Sequence, residues 1–106
     1  MATVLIAEDT PEERYLLATE LRIAGRQVRE ACDGKEALEL FRVSSPDAVI
    51  TDIEMPNFDG IGLITAIRKI ETHLPIVVVS AGDEQELQRA RAAGADLCIA
   101  KPFVFC

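Results

Sequence analysis

Thr3-Val4-Leu5-Ile6-Ala7-Glu8-Asp9-Thr10-Pro11-Glu12-Glu13 decides the fold. Its first part is a short, nearly continuous apolar run, the signature of a strand buried on both faces of a parallel sheet. Two acidic residues follow. Thr10-Pro11-Glu12-Glu13 then fits a capping box. The Thr10 hydroxyl is placed to accept from a first-turn amide, Glu13 to reach back, and Pro11 suits the first helical position. Leu16, Leu17, Leu21 and Ala24 recur at helical spacing, and Gly25 is a natural stop.

The same unit repeats along the chain. Gln27–Ala31, Asp47–Thr51, Pro75–Val79 and Leu97–Ala100 read as further strands. Asp33 and Glu36 open a helix carrying Ala37, Leu38 and Phe41. The Asp33-Gly34 pair is also a hairpin signal, but a helical rather than an alternating pattern follows it. Ile61, Leu63, Ile64, Ile67 and Ile70 mark a third helix. Asp83 and Glu86 start a fourth, with Leu87 among alanines, and Gly94 ends it. Strands alternating with helices demand a parallel sheet with right-handed crossovers. Helices on both faces make it a doubly wound five-stranded α/β fold. Ligands in such sheets bind at the carboxyl ends of the strands.

The 106 residues fit one domain, with 49% hydrophobic and 27% charged residues. Without Trp and with few aromatics, the core must be aliphatic. A net charge of -7 argues against direct contact with nucleic acid or an anionic membrane. No apolar run approaches the roughly 20 residues of a membrane span, and the N-terminus lacks the pattern of a signal peptide. Cys32, Cys98 and Cys106 are odd in number and form no CxxC pair. They read as reduced thiols of a cytoplasmic protein. The single His73 reads as ordinary loop surface.

Glu8 and Asp9 follow the first strand, Asp52 the third, Ser80 the fourth and Lys101 the fifth. Taken singly, acids after strands usually face water and Ser is a common helix cap. Taken together, they gather three carboxylates, a hydroxyl and an ammonium at one edge of the sheet. Clustered carboxylates repel one another, and an oxygen-loving divalent cation relieves that repulsion. Mg2+ suits such donors and favours sites that also hold phosphate. A carboxylate can attack phosphorus to give an aspartyl phosphate. Metal, Lys and hydroxyl then stabilise the charge on the phosphoryl oxygens.

The chain resembles response-regulator receiver domains of bacterial two-component systems over essentially its whole length, 1–106. The resemblance rests on Val4-Leu5-Ile6-Ala7-Glu8-Asp9, Asp33-Gly34-Lys35-Glu36-Ala37-Leu38, Asp47-Ala48-Val49-Ile50-Thr51-Asp52-Ile53-Glu54-Met55-Pro56 and Asp59-Gly60. It continues through Ile76-Val77-Val78-Val79-Ser80-Ala81, Ala93-Gly94-Ala95-Asp96 and Lys101-Pro102-Phe103. The resemblance implies a flavodoxin-like strand order 2-1-3-4-5. It implies that Asp52 accepts a phosphoryl group from a histidine kinase or histidine phosphotransfer protein. Glu8 and Asp9 would hold Mg2+ directly or through water, with Asp52 and the main-chain carbonyl of Glu54. Ser80 and Lys101 would each meet a phosphoryl oxygen. In this family a cis peptide bond often precedes Pro102, a rigid turn that aims Lys101.

The sequence departs from the family at several positions. Glu54 stands two residues after Asp52 and Gly82 two after Ser80, where the family lines the path of hydrolytic water. Glu54 either acts on metal water, attacking water or the phosphoryl group, or simply faces solvent. Cys98 replaces the aromatic residue that commonly stands three positions before the Lys. The chain stops at Phe103-Val104-Phe105-Cys106, where the family continues into a fifth helix. The domain therefore reads as C-terminally short, with an open sheet face that favours a homodimer or low stability. The sequence also admits two other functions: an interaction-only receiver that is not phosphorylated in use, and an aspartate-nucleophile phosphohydrolase. The second needs an acid two residues after the nucleophile, where Glu54 stands, but also a substrate pocket that so short a chain hardly provides.

Overall fold

A computed structural model describes residues 2–101, and the structural statements below concern those residues. The element order is β1 (Thr3–Ala7), α1 (Pro11–Ile23), β2 (Gln27–Ala31), α2 (Gly34–Val43), β3 (Ala48–Thr51), α3 (Gly60–Ile70), β4 (Ile76–Ser80), α4 (Glu84–Ala93) and β5 (Leu97–Ala100). The strands form one parallel sheet in the order β2-β1-β3-β4-β5. This is the expected order. β3 starts one residue later than the sequence suggests, and β4 runs Ile76–Ser80 rather than Pro75–Val79. Proline cannot donate to the ladder, so β4 begins after Pro75, and Ser80 closes the strand.

Alternation along β1 divides the core. Leu5 and Ala7 face one side, with Phe41 of α2, Leu63, Ile64 and Ile67 of α3, and Leu87 and Ala90 of α4. Val4 and Ile6 face the other, against Leu17 and Ala18 of α1. The sheet is thus doubly wound, with a larger aliphatic core under α2, α3 and α4. On β5, Leu97 and Ile99 are 54% and 38% exposed, so this edge strand carries the least buried apolar side chains of the sheet. Pro102, its peptide bond, and the segment where the fifth helix was expected to be missing lie outside the described residues.

Helix starts were only partly as expected. Asp33 and Asp83, both expected starts, accept from the amide three residues on at 2.8 and 3.0 Å, and Asp59, which the sequence did not mark as a start, does the same at 2.8 Å. Thr10 does not: it is the residue before α1, but its hydroxyl makes no cap bond. Its own amide instead donates to Glu8 Oε2 at 3.2 Å. Glu13, the expected reciprocal partner, points elsewhere. The capping box gives way because the buried Lys101 ammonium binds the Glu13 carboxylate and Glu8 takes the Thr10 amide. On α2 the reciprocal bond does form, one residue displaced, from the Cys32 amide to Glu36 Oε1 at 2.7 Å.

Candidate functional site

The parallel ladder runs one residue past the strands and fixes the site. Glu8 N donates to Ala31 O, Asp52 N to Ala7 O, and Lys101 N to Ser80 O, at 3.1, 3.0 and 2.9 Å. Glu8, Asp52 and Lys101 are therefore aimed by backbone bonds on three strands. The loop after β3 is held as firmly. Gly60 N donates to Ile53 O at 2.8 Å, and a Cβ on Gly60 would overlap the Asp52 carbonyl oxygen. Only glycine lets α3 begin so close to this loop. Asn57 Nδ2 donates to Asp33 Oδ2 at 2.8 Å, and Gly34 N to Phe58 O at 3.1 Å. These bonds tie the same loop to the start of α2.

Lys101 Nζ is the centre of the cluster. It donates to Glu8 Oε1 at 2.7 Å, Glu13 Oε2 at 2.7 Å and Asp52 Oδ2 at 2.9 Å. Asp52 Oδ1 accepts from the Ile53 amide at 2.7 Å, which fixes the carboxylate plane. The Glu8 side chain is buried beside Asp52. Burial raises its carboxyl to about 7 and the Asp52 charge adds to this, while Lys101 and the Thr10 amide pull the other way. Burial alone would lower the Lys101 ammonium, but its bonds to Glu13, Glu8 and Asp52 outweigh that and hold it protonated well above its usual range. Glu13 is pulled down, chiefly by its bond to Lys101.

Beside the cluster opens a cleft of about 660 Å³, lined by Asp9, Asp52, Glu54, Ser80, Gly82 and Glu86 among others. Asp52 thus faces Lys101 with one oxygen and the cleft with its edge. Ser80 is buried, and its Oγ accepts from the Gly82 amide at 3.0 Å. Asp9 and Glu54 are exposed at the cleft and stand outside the Lys101 cluster. Every residue expected at the site therefore reaches the same edge of the sheet, but in two groups: Glu8 and Asp52 on Lys101, Asp9, Glu54 and Ser80 around the cleft.

Two acids escaped the sequence reading. Glu13 joins Glu8 and Asp52 in the one group of three or more candidate ligands found among the described residues, with carboxylate oxygens within 4.8 Å of one another. An acid in the first turn of a helix is favoured by the helix dipole anyway, so nothing marked Glu13 as special. Glu86 lines the cleft from α4, one turn past the Asp83 cap. Cys98, in the position of the expected aromatic, packs against the larger core, and its thiol lies 3.8 Å from Leu87 O.

The family model described as response regulator receiver domain matches residues 4–105. Sensor histidine kinase RcsC of Salmonella typhimurium is 39% identical over 100 residues, which are 93% of this chain and 10% of RcsC. Transcriptional regulatory protein PrrA of Mycobacterium tuberculosis is 38% identical over 102 residues, 95% of this chain and 44% of PrrA. The chain thus spans less than half the length of these relatives. Among solved structures, chemotaxis protein CheY4 of Vibrio cholerae superposes with a TM-score of 0.92 at 31% identity, covering 98% of this chain and 89% of CheY4. Response regulator protein TrrA of Thermotoga maritima, in complex with Mg2+-BeF, gives 0.90 at 34% identity, covering 99% and 90%.

Proposed function

The chain belongs to the response regulator receiver domain family of two-component signalling, and on that premise we propose that residues 1–106 act as a phosphorylation switch whose acceptor is Asp52. The observation that carries this reading is the pairing of Asp52 Oδ2 with Lys101 Nζ at 2.9 Å, beside a cleft that Ser80 also lines. A carboxylate nucleophile, a fixed ammonium and a hydroxyl gathered at one edge of the sheet are what phosphoryl transfer requires.

The donor would be a phosphohistidine on a histidine kinase or histidine phosphotransfer protein. An Asp52 carboxylate oxygen attacks phosphorus and the phosphorus–nitrogen bond breaks. The imidazole leaves with the electron pair and takes a proton from solvent. Lys101 exchanges a carboxylate partner for a phosphoryl oxygen, and the Ser80 hydroxyl donates to another. The Ile53 amide keeps the Asp52 carboxylate aligned throughout.

The donor set fits Mg2+: Asp9, Asp52 and Glu54 line the cleft with carboxylate oxygens, and oxygens of Glu8 and Asp52 lie within 4.8 Å of one another beside it. Glu8 and Asp9 would hold the ion directly or through water, with Asp52 and the main-chain carbonyl of Glu54. TrrA, which this chain resembles, was solved with Mg2+-BeF. When bound, the ion neutralises charge gathering on the phosphoryl oxygens. The chain is a switch in the cytoplasm, where thiols such as Cys32 and Cys98 stay reduced. It is not a turnover enzyme: beyond its own phosphorylation and dephosphorylation it has no reaction to catalyse. No helix among the described residues is long and apolar enough to cross a membrane.

The test is transfer from a histidine-phosphorylated kinase domain carrying labelled phosphate. Label is expected on the wild type and not on Asp52→Asn. A wild-type chain that stays unlabelled by every histidine donor and by acetyl phosphate would overturn the proposal.

A further inference from the structure

The cleft leading to Asp52 carries an acid that the site itself does not use. Glu86 reaches back from the first turn of α4, and its carboxylate lies over Gly82. A Cβ on Gly82 would overlap that carboxylate and lie 3.1 Å from Ser80 Oγ. The missing side chain at Gly82 therefore leaves the space that Glu86 fills, next to the hydroxyl that borders the acceptor. Glu54 lines the same cleft from the loop after β3 and acts on Glu86 as a neighbouring negative charge. Asp83 adds a third negative charge at the helix start. Arg89 also lines the cleft and is the cation that counters Glu86.

We propose that Glu86 is a specificity-determining residue: its carboxylate, seated over Gly82 and facing Glu54, makes the mouth of the acceptor cleft repel small anionic phosphodonors. This rests on Asp52 being the acceptor. A free donor such as acetyl phosphate must bring its charge through this mouth unaided. A protein donor brings its own surface groups, which can offset the repulsion. The chain thereby favours a docked phosphohistidine over phosphorylated metabolites.

The experiment compares wild type, Glu86→Gln and Glu84→Gln for phosphoryl gain from acetyl phosphate with saturating Mg2+ at pH 8, where carboxylates are ionised. Glu84 is the control. It sits on the same helix, lies outside the cleft lining, and pairs with Arg91 at 3.1 Å, yet its substitution changes net charge equally. Glu86→Gln should accelerate phosphorylation about 3- to 10-fold, the range expected for removing one charge several Å from an anionic donor. Wild type should speed up as salt is added, and Glu86→Gln should lose most of that dependence. A purely structural role for Glu86 would not move the salt dependence. If Glu86→Gln stays within about twofold of wild type, or Glu84→Gln accelerates as much, the gate is overturned while the Asp52 reading stands. If none of the three proteins is phosphorylated, removing the Glu86 charge has not opened the cleft and the gate is overturned, while the Asp52 reading is decided by transfer from the phosphohistidine donor.

Discussion

Lys101 Nζ lies 2.7 Å from Glu13 Oε2, a contact that joins residues 88 apart in sequence. The same ammonium reaches Glu8 and Asp52, so the resting chain holds its cation with three carboxylates. Glu13 is the outermost of them, with its side chain 41% exposed against 6% and 11% for Glu8 and Asp52. It is therefore the partner Lys101 gives up most cheaply on turning toward a phosphoryl oxygen. An exposed pair of this kind contributes about 0.2–1 kcal/mol. Glu13→Gln is expected to raise the rate of phosphorylation by no more than about fivefold. Stopped time courses of phosphoryl gain check this, and a slower variant would count against it.

Lys101→Ala leaves Glu8 and Asp52 facing each other in a buried setting without their cation. Without metal the loss is expected to cost about 1–3 kcal/mol of folding stability. With saturating Mg2+ the cost should shrink, because a second cation can stand in for the first. Urea melts with and without Mg2+ measure both values. Equal losses in the two conditions would mean the carboxylates do not share a cation site.

Much of this was legible in the sequence because it is local. The apolar run Thr3–Ala7, the Asp33 and Asp83 starts, and the acids directly after strands all announce themselves over a few residues. The same logic failed at Thr10 and Glu13, where a capping box was expected. A partner from the far end of the chain competes there, and local pattern carries no information about it. Glu86 was read only as part of a helix start. Its place over Gly82 depends on the packing of α4, which the sequence does not display. Residues at strand ends are readable since the ladder fixes their direction; residues on helices that reach over the site are not.

Arg68 is the clearest structural device away from the site. Its Nε and Nη2 donate to Gly94 O at 3.0 and 2.8 Å, Nη1 to Leu74 O at 2.7 Å, and Nη2 to Asp96 at 2.9 Å. One planar fork thus ties the end of α3 to the loops before β4 and β5. Arg68→Lys keeps the charge but cannot span these acceptors. It is expected to cost about 1.5–3 kcal/mol in urea unfolding. A loss within error of zero would show that water replaces the fork.

Asp33 supplies a pH dependence of known sign. The Glu36 amide, and after it Asn57, hold its carboxyl below the usual carboxylate range. A depressed folded value means the stabilisation is present above the unfolded value, about 3.9, and is lost as pH falls through the folded one. Asp33→Ala should therefore cost about 1–2 kcal/mol at pH 7, and the gap to wild type should close below about pH 4. Urea melts at the two pH values decide it. A gap that stays constant would mean the cap does not depend on the charge of Asp33.

The central claim is that Asp52 takes the phosphoryl group, and trapping tests it most directly. After exposure to a phosphohistidine donor and Mg2+, borohydride reduces an aspartyl phosphate to homoserine, which tandem mass spectrometry locates by residue. The account predicts homoserine at position 52 alone, absent from Asp52→Asn and absent without Mg2+. Reduction at Glu8, Asp9 or Glu54, or at no residue at all, would contradict it.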